Sequence, residues 1–300
     1  MTYFMYVFCL IVWGLNFVAV KIQGTPVSLE LSLTYRLMMT ALLFLVLMWF
    51  LKPKGRPTMK DFPFIMVFGV CNFALSYLCL YYATILSSAA IVTLIFSLKV
   101  ILTPIALRVF LKEKLHLRVL IGGILGVFGV CVLIYPSLND FQGLADLKGI
   151  SIALLGTILT AVGDASSARN ANRKINPIFA NAIGFTVAGV LMGAIVLFQG
   201  NKIMLPTTVT YLSALLYLTL IASFMAWLFY LKLVEKIGGA KSGYMVALFP
   251  VIGGVASVWI GESTPSLFLM IGCLSSCIGA AIALGVGIRS QNNNQPVNIN

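Results

Sequence analysis

The chain of 300 residues is 60% apolar and only 9% charged, with a mean hydropathy of +1.03 and a formal net charge of +12. A soluble domain carries about 25% charged residues to wet its surface, so this composition excludes one and points to an all-α integral membrane protein. The surplus of Lys and Arg does not mark a nucleic-acid partner: it sits in short loops between apolar runs, the pattern that orients membrane proteins.

Apolar runs of about 20 residues, the length a helix needs to cross a bilayer, are predicted at 3–22, 30–51, 62–82, 87–110, 117–135, 148–168, 178–198, 208–231, 241–260 and 266–288. Strands of a membrane barrel would alternate over about ten residues, and no such pattern is present. The first run has no Lys or Arg before Trp13. It lacks the basic leader of a signal peptide and is expected to be a retained helix. The third and fourth runs are separated only by Thr84 and Ser87-Ser88, so a tight turn must join them. When alternate loops are given to opposite sides, one side collects 15 Lys and Arg and the other only Lys21, Lys148 and Lys202. That bias puts both termini in the cytoplasm. The uncharged tail, 289–300, reads as disordered.

The two halves of the chain resemble each other. LKEKLHLRVLIGGILGVFG aligns with IGESTPSLFLMIGCLSSCIG at an offset of 149, which carries Glu113 onto Glu262 and Gly123 onto Gly272. Each half then holds five helices, 1–137 and 138–288. Five is odd, so the second half enters the membrane from the opposite side. Inverted repeats of this kind are common in secondary transporters, with a substrate site near the midplane.

WGLNFVAVK in the first helix, Arg36 in TYRLMMTALLFL, YYATILSSAAIV at 81–92 and the paired Glu-then-Gly helices are similar to the drug/metabolite transporter superfamily, in particular its EamA-type members. The resemblance covers almost the whole chain. It implies a ten-helix, two-repeat fold that exports small metabolites, often amino acids, across the bacterial inner membrane. The family's Pro before the helix-ending Glu is matched by Pro250, whereas the first half has Ile101 there and Pro104 three residues on. A Trp frequent late in the sixth helix is absent, with Thr160 near that place.

Ionisable residues inside spans are costly and are functional candidates. Lys99, deep in the fourth run, is either a cation facing a central cavity or a partner for a neighbouring helix. Arg36, two turns into the second run, is either a substrate or gating residue or an anchor near the outer interface. Asp164 is either a proton-coupling carboxylate or the partner of Arg169 or Arg173. Glu113 and Glu262 are expected to close helix ends or pair with loop cations, and Lys21 to anchor the first helix at the outer interface. Asn16 and Asn72 are mid-helix amides that need partners in a dry setting. Asn72 and Ser76, four residues apart, share a helix face. Tyr77, Tyr81, Trp227, Tyr230 and Tyr244 are candidates for an aromatic cavity wall, with Tyr81 and Tyr230 near span ends. Pro104 and Pro250 are candidate hinges, and the glycines at 122, 126, 129, 272 and 279 are expected to pack helices closely.

The six Cys all lie in apolar runs with no C-x-x-C, and the one His, His116, has no companions at ligand spacing. No metal or cofactor is called for. Phosphate-binding and hydrolase motifs are missing as well, so the chain is expected not to be an enzyme. The expected partners are a small-molecule substrate and the lipid bilayer, with the protein acting as a monomer. The leading expectation is export of amino acids or related zwitterions by alternating access. The alternatives are uptake or exchange of an anionic or nucleoside-like metabolite, and broad-range drug efflux.

Overall fold

The computed structural model describes residues 2–112, 114–135, 143–237 and 244–284. Glu113, the 241–243 part of the ninth run and the tail therefore lie outside the described residues. Within them the chain forms helical segments α1 (Thr2–Gln23), α2 (Leu29–Leu51), α3 (Phe62–Leu86), α4 (Ala89–Leu111), α5 (Leu117–Ile134), α6 (Gly143–Asn172), α7 (Pro177–Phe198), α8 (Val209–Leu233), α9 (Phe249–Trp259) and α10 (Leu267–Leu284). Seven of these are long and apolar enough to cross a membrane, and the apolar cores of α5, α9 and α10 are shorter. The protein is an all-α, multi-spanning membrane protein.

The helix boundaries follow local chemistry. Ser28, Ser88 and Thr208 each accept a backbone N–H in the first turn of the helix they precede. Asn176 does the same for α7, with Pro177 in the first turn where its missing N–H costs nothing. The third run does not stop at 82 but continues to Leu86, leaving Ser87 and Ser88 as the whole turn into α4. Ahead of α9, residues Tyr244–Leu248 form a tighter 3-10 turn.

Two long helices carry wider π-helical segments, Val70–Leu75 in α3 and Tyr217–Met225 in α8. Such segments recur at functional sites because they re-aim side chains. In α4 the α-helix breaks at Leu98, immediately before Lys99. Pro104 lies inside the following stretch. Pro250, by contrast, occupies the first turn of α9, so it starts a helix after the 3-10 turn instead of interrupting one.

Packing joins the two halves helix by helix. α2 lies on α7, α4 on α9 and α5 on α10, while α3 packs on α6 and α7, and α8 packs on α1 and α2. Small residues set the closest approaches. A Cβ placed on Gly129 would sit 2.7 Å from the carbonyl of Gly272, and one on Gly279 would sit 2.5 Å from that of Gly122. The predicted glycine stripes are thus the seam between α5 and α10. With no hydrophobic driving force between helices in lipid, this close contact is what dispersion and packing require.

Candidate functional site

A cavity of about 630 Å³, its open mouth included, lies at the centre of the bundle. Its wall brings together Asn16, Arg36, Asn72, Tyr77, Lys99 and Trp227, all singled out from sequence. Asn16 comes from the middle of α1 and shares its face with Trp13 and Phe17, three residues before and one after. Ser76 sits behind the wall, where it exchanges a hydrogen bond with Thr160 of α6, itself a lining residue. The side chain of Tyr244 lies outside the described residues.

Arg36 is 1% exposed, yet no carboxylate meets it among the described residues. Its Nε donates to Ser223 Oγ at 2.9 Å, Nη1 to the Tyr81 hydroxyl at 3.3 Å and Nη2 to Asn16 Oδ1 at 3.0 Å. The guanidinium also lies over the Tyr77 ring, 4.5 Å from its centroid. A desolvated cation over an aromatic face gains about 2 kcal/mol. The three hydrogen bonds and the ring make burial tolerable without cancelling the charge. A guanidinium has five N–H donors, so two remain. This answers how Asn16 is used: it both lines the cavity and bonds a neighbouring helix through Arg36.

Lys99 is held differently. Its ammonium pairs with Asp164 Oδ2 at 3.0 Å, both side chains being nearly buried. Thr103 Oγ1 donates to the same oxygen at 3.0 Å, and Asn72 Nδ2 donates to Asp164 Oδ1 at 3.2 Å. This pairing follows the reading of Lys99 as a partner for a neighbouring helix, and it corrects one expectation: Asp164 does not meet Arg169 or Arg173. The reason is helical phase. Five and nine residues along α6 turn by about 140° and 180° at 3.6 residues per turn, so the arginines face elsewhere. They hold Asp61 instead, Arg169 Nη1 at 3.1 Å and Arg173 Nε at 3.5 Å.

Asp61 precedes α3 and also accepts from the amide and hydroxyl of Thr58, at 3.0 and 2.7 Å. The Thr58 hydrogen bonds, followed by the two arginines, hold its carboxyl well below the usual carboxylate range.

Asn72 reaches Asp164 because α6 has a glycine beneath it. A Cβ on Gly163 would fall 2.7 Å from Asn72 Nδ2. The π-helical segment of α3 contains Asn72, and that of α8 contains Ser223. The first distorted segment therefore presents a partner to Asp164, and the second presents one to Arg36.

The aromatic wall is wider than the sequence suggested. Trp13, Phe17, Phe96 and Phe249 join Tyr77, Tyr81, Trp227 and Tyr230. Trp227 Nε1 donates to the Tyr77 hydroxyl at 3.0 Å, and Trp13 packs edge-on against Trp227 and Tyr230 at 5.4 and 5.1 Å. Tyr81 and Tyr230, placed by sequence near span ends, thus belong to the cavity. Ser223 had no sequence signal, since a lone serine in an apolar run reads as packing. Trp13 and Phe17 did have one: they share a helix face with Asn16.

Away from the cavity, Lys21 is no free interfacial anchor. It pairs with Glu262 Oε1 at 3.0 Å and donates to the carbonyls of Thr84 and Ser87 at 3.1 and 2.9 Å. Glu262 Oε2 accepts from the Ala89 amide at 3.0 Å and the Ser257 hydroxyl at 2.8 Å. Glu262 thus meets a cation and a helix start together, as its structural reading expected. Among the described residues no cluster of His, Cys, Asp and Glu could hold a metal ion.

A multi-spanning helical bundle around a buried, aromatic-walled cavity with two cations defines a membrane carrier of small solutes. The EamA-like transporter family model matches residues 1–135 and again 147–285. The chain belongs to that family, and so is a transporter and not an enzyme. It is 23% identical over 251 residues to an uncharacterised transporter of Archaeoglobus fulgidus, covering 81% of this chain and 84% of that one. It is also 23% identical over 218 residues to the uncharacterised transporter YdfC of Bacillus subtilis, covering 72% of this chain and 69% of the relative. A solved crystal structure aligns over 94% of this chain and 96% of its own with a TM-score of 0.67 at 17% identity. That likeness concerns the fold.

Proposed function

We propose that the protein exports small carboxylate-bearing metabolites, amino acids or related zwitterions, across the bacterial inner membrane by alternating access. The observation that carries this reading is Arg36, a buried cation on the cavity wall whose partners are all neutral and which keeps two N–H donors. A planar guanidinium matches a carboxylate in a two-pronged fashion. The surrounding aromatic faces suit an apolar side chain and can receive an ammonium group.

Alternating access rests on two inverted five-helix halves, 1–137 and 138–288. Three findings support the duplication. The family model matches twice. The 149-residue offset carries Val70 to position 219, inside the second π-helical segment. The pairing of α3 with α6 and of α8 with α1 is the same contact seen from each half. The charge bias of the loops supports cytoplasmic termini. In this reading the helix break at Leu98 with Pro104, and the junction at Pro250, are the hinges.

Asp164 is the candidate for proton coupling. Its titratable neighbours are Lys99 of α4 and Tyr230 of α8. Counterflow of labelled amino acids in liposomes containing the purified protein tests the reading, with Arg36→Met as the control. Absence of saturable flux for every amino acid tried rejects it. Flux indifferent to a pH gradient, and unchanged by Asp164→Asn, rejects the coupling role.

A further inference from the structure

Free hydrogen-bond capacity at the cavity lies chiefly with its cations, beside the unpaired neutral acceptor Asn72 Oδ1. Of the three ammonium donors of Lys99, one is used, on Asp164, and of the five guanidinium donors of Arg36, three are used. Both oxygens of Asp164 are occupied, by Asn72 on one side and by Lys99 and Thr103 on the other. Among the described residues the cavity wall thus offers unpaired cationic donors from two helices, while three of the roughly four acceptor positions of Asp164 are taken. Among the described residues its charged groups are Arg36 and Lys99, and Asp164 is the anion paired with Lys99.

We infer that Asp164 is a specificity-determining residue that sets how many carboxylates the transported metabolite carries: by cancelling one of the two cavity cations, it matches the site to one carboxylate and rejects two. This inference rests on the proposed transport of carboxylate-bearing metabolites and adds the rule for choosing among them. The physical basis is the scarcity of water around the groups. Arg36 is 1% exposed, and the side chains of Lys99 and Asp164 are 11% and 13% exposed. In a medium of such low polarity an uncompensated unit charge within a few ångströms dominates binding. A monocarboxylate takes the spare donors of Arg36 and reaches those of Lys99, and the site becomes neutral. A second carboxylate would sit in the same enclosure with no cation left to answer it, beside the fixed charge of Asp164.

Removing that charge without changing shape reverses the rule. Asp164→Asn frees Lys99 and leaves two uncompensated cations, a match for a dicarboxylate. Lys99→Gln does the opposite: the net charge of the group falls to zero while an amide remains to bond Asp164.

The test is competition against labelled amino-acid counterflow in liposomes, with partners of similar shape that lack an ammonium group and differ by one carboxylate: 4-carbamoylbutanoate against pentanedioate, and 3-phenylpropanoate against 3-(4-carboxyphenyl)propanoate. Wild-type protein is expected to favour the first member of each pair. Asp164→Asn should shift the ratio toward the second member by about tenfold or more, and Lys99→Gln should shift it further toward the first. A purely structural role for Asp164 would lower the folded fraction and the total flux while leaving the ratio untouched. An unchanged ratio in both variants, with wild-type flux intact, overturns the charge rule alone. No competition by any of the four compounds in wild type overturns the carboxylate reading on which it rests.

Discussion

The two cations of the cavity are buried by opposite means. Arg36 is surrounded by a serine, a tyrosine hydroxyl, an asparagine and a ring face, so its charge is solvated but not cancelled. Lys99 is met by a carboxylate that two further donors hold in place. The difference separates stability from recognition. A charge cancelled within the protein contributes to folding, and its removal strands its partner. A charge solvated by neutral dipoles is left to be answered by a ligand.

The largest effect should therefore follow from breaking the cancelled pair. Lys99→Met leaves Asp164 buried and unpaired, and loss of one partner of a buried pair costs about 3–5 kcal/mol. A marked fall in melting temperature in detergent is expected. The double variant Lys99→Met with Asp164→Asn should recover most of it, because no charge is then stranded. Equal melting of the single and double variants would show that the two residues do not compensate each other.

Arg36→Met should behave in the reverse sense. No carboxylate is stranded, so the loss of stability is limited to unpaired neutral groups, and affinity carries the change. A hydrogen bond to a charged group is worth about 1.5–3 kcal/mol, roughly a 10- to 150-fold loss of substrate affinity, readable from the concentration dependence of counterflow. A variant that melts far below wild type while keeping affinity would invert the comparison.

What was legible in the sequence follows the same division. The helices could be read because a bilayer demands about 20 apolar residues for each crossing, and the polar groups inside them could be read because each is costly. Which group meets which could not. Asp164 and Arg169 are close in sequence, but helix rotation points them apart, and the true partner of Asp164 lies on another helix, 65 positions away. Ser223 became a ligand of Arg36 only through the packing of α8 on α2. The π-helical segments carrying Asn72 and Ser223 gave no composition signal, since neither Gly nor Pro marks Val70–Leu75 or Tyr217–Met225. The aromatic wall was half legible: Tyr77, Tyr81, Trp227 and Tyr230 were named, whereas Trp13, Phe17, Phe96 and Phe249 were not.

A smaller effect tests the geometry behind the cancelled pair. Gly163→Ala places a methyl group where the Asn72 amide now lies. Overpacking of this kind costs about 1–3 kcal/mol, and the displaced amide no longer holds Asp164. Melting temperature should fall by less than in Lys99→Met, and combining Gly163→Ala with Asn72→Ala should restore part of the loss. Full additivity of the two changes would mean that Gly163 supports something other than Asn72.

The smallest effect belongs to the third arrangement of charge, Asp61 with Arg169 and Arg173, at the end of α6 and outside the spans. Here too a carboxylate is cancelled, but at an edge where Arg173 remains exposed and solvent screens the pair. Folding lowers the Asp61 pKa. Its contribution is thus fully present above the ordinary carboxylate value of about 3.9 and fades as pH falls through the lower folded-state value. Asp61→Asn should therefore lower the melting temperature slightly, and by the same amount at pH 7 as at pH 5.5. The gap to wild type should narrow only below about pH 4, where the unfolded carboxyl takes up its proton. A gap that already closes between pH 7 and 5.5 would mean that Asp61 is not held by the arginines, and that Lys21 with Glu262 is left as the cancelled pair outside the cavity among the described residues.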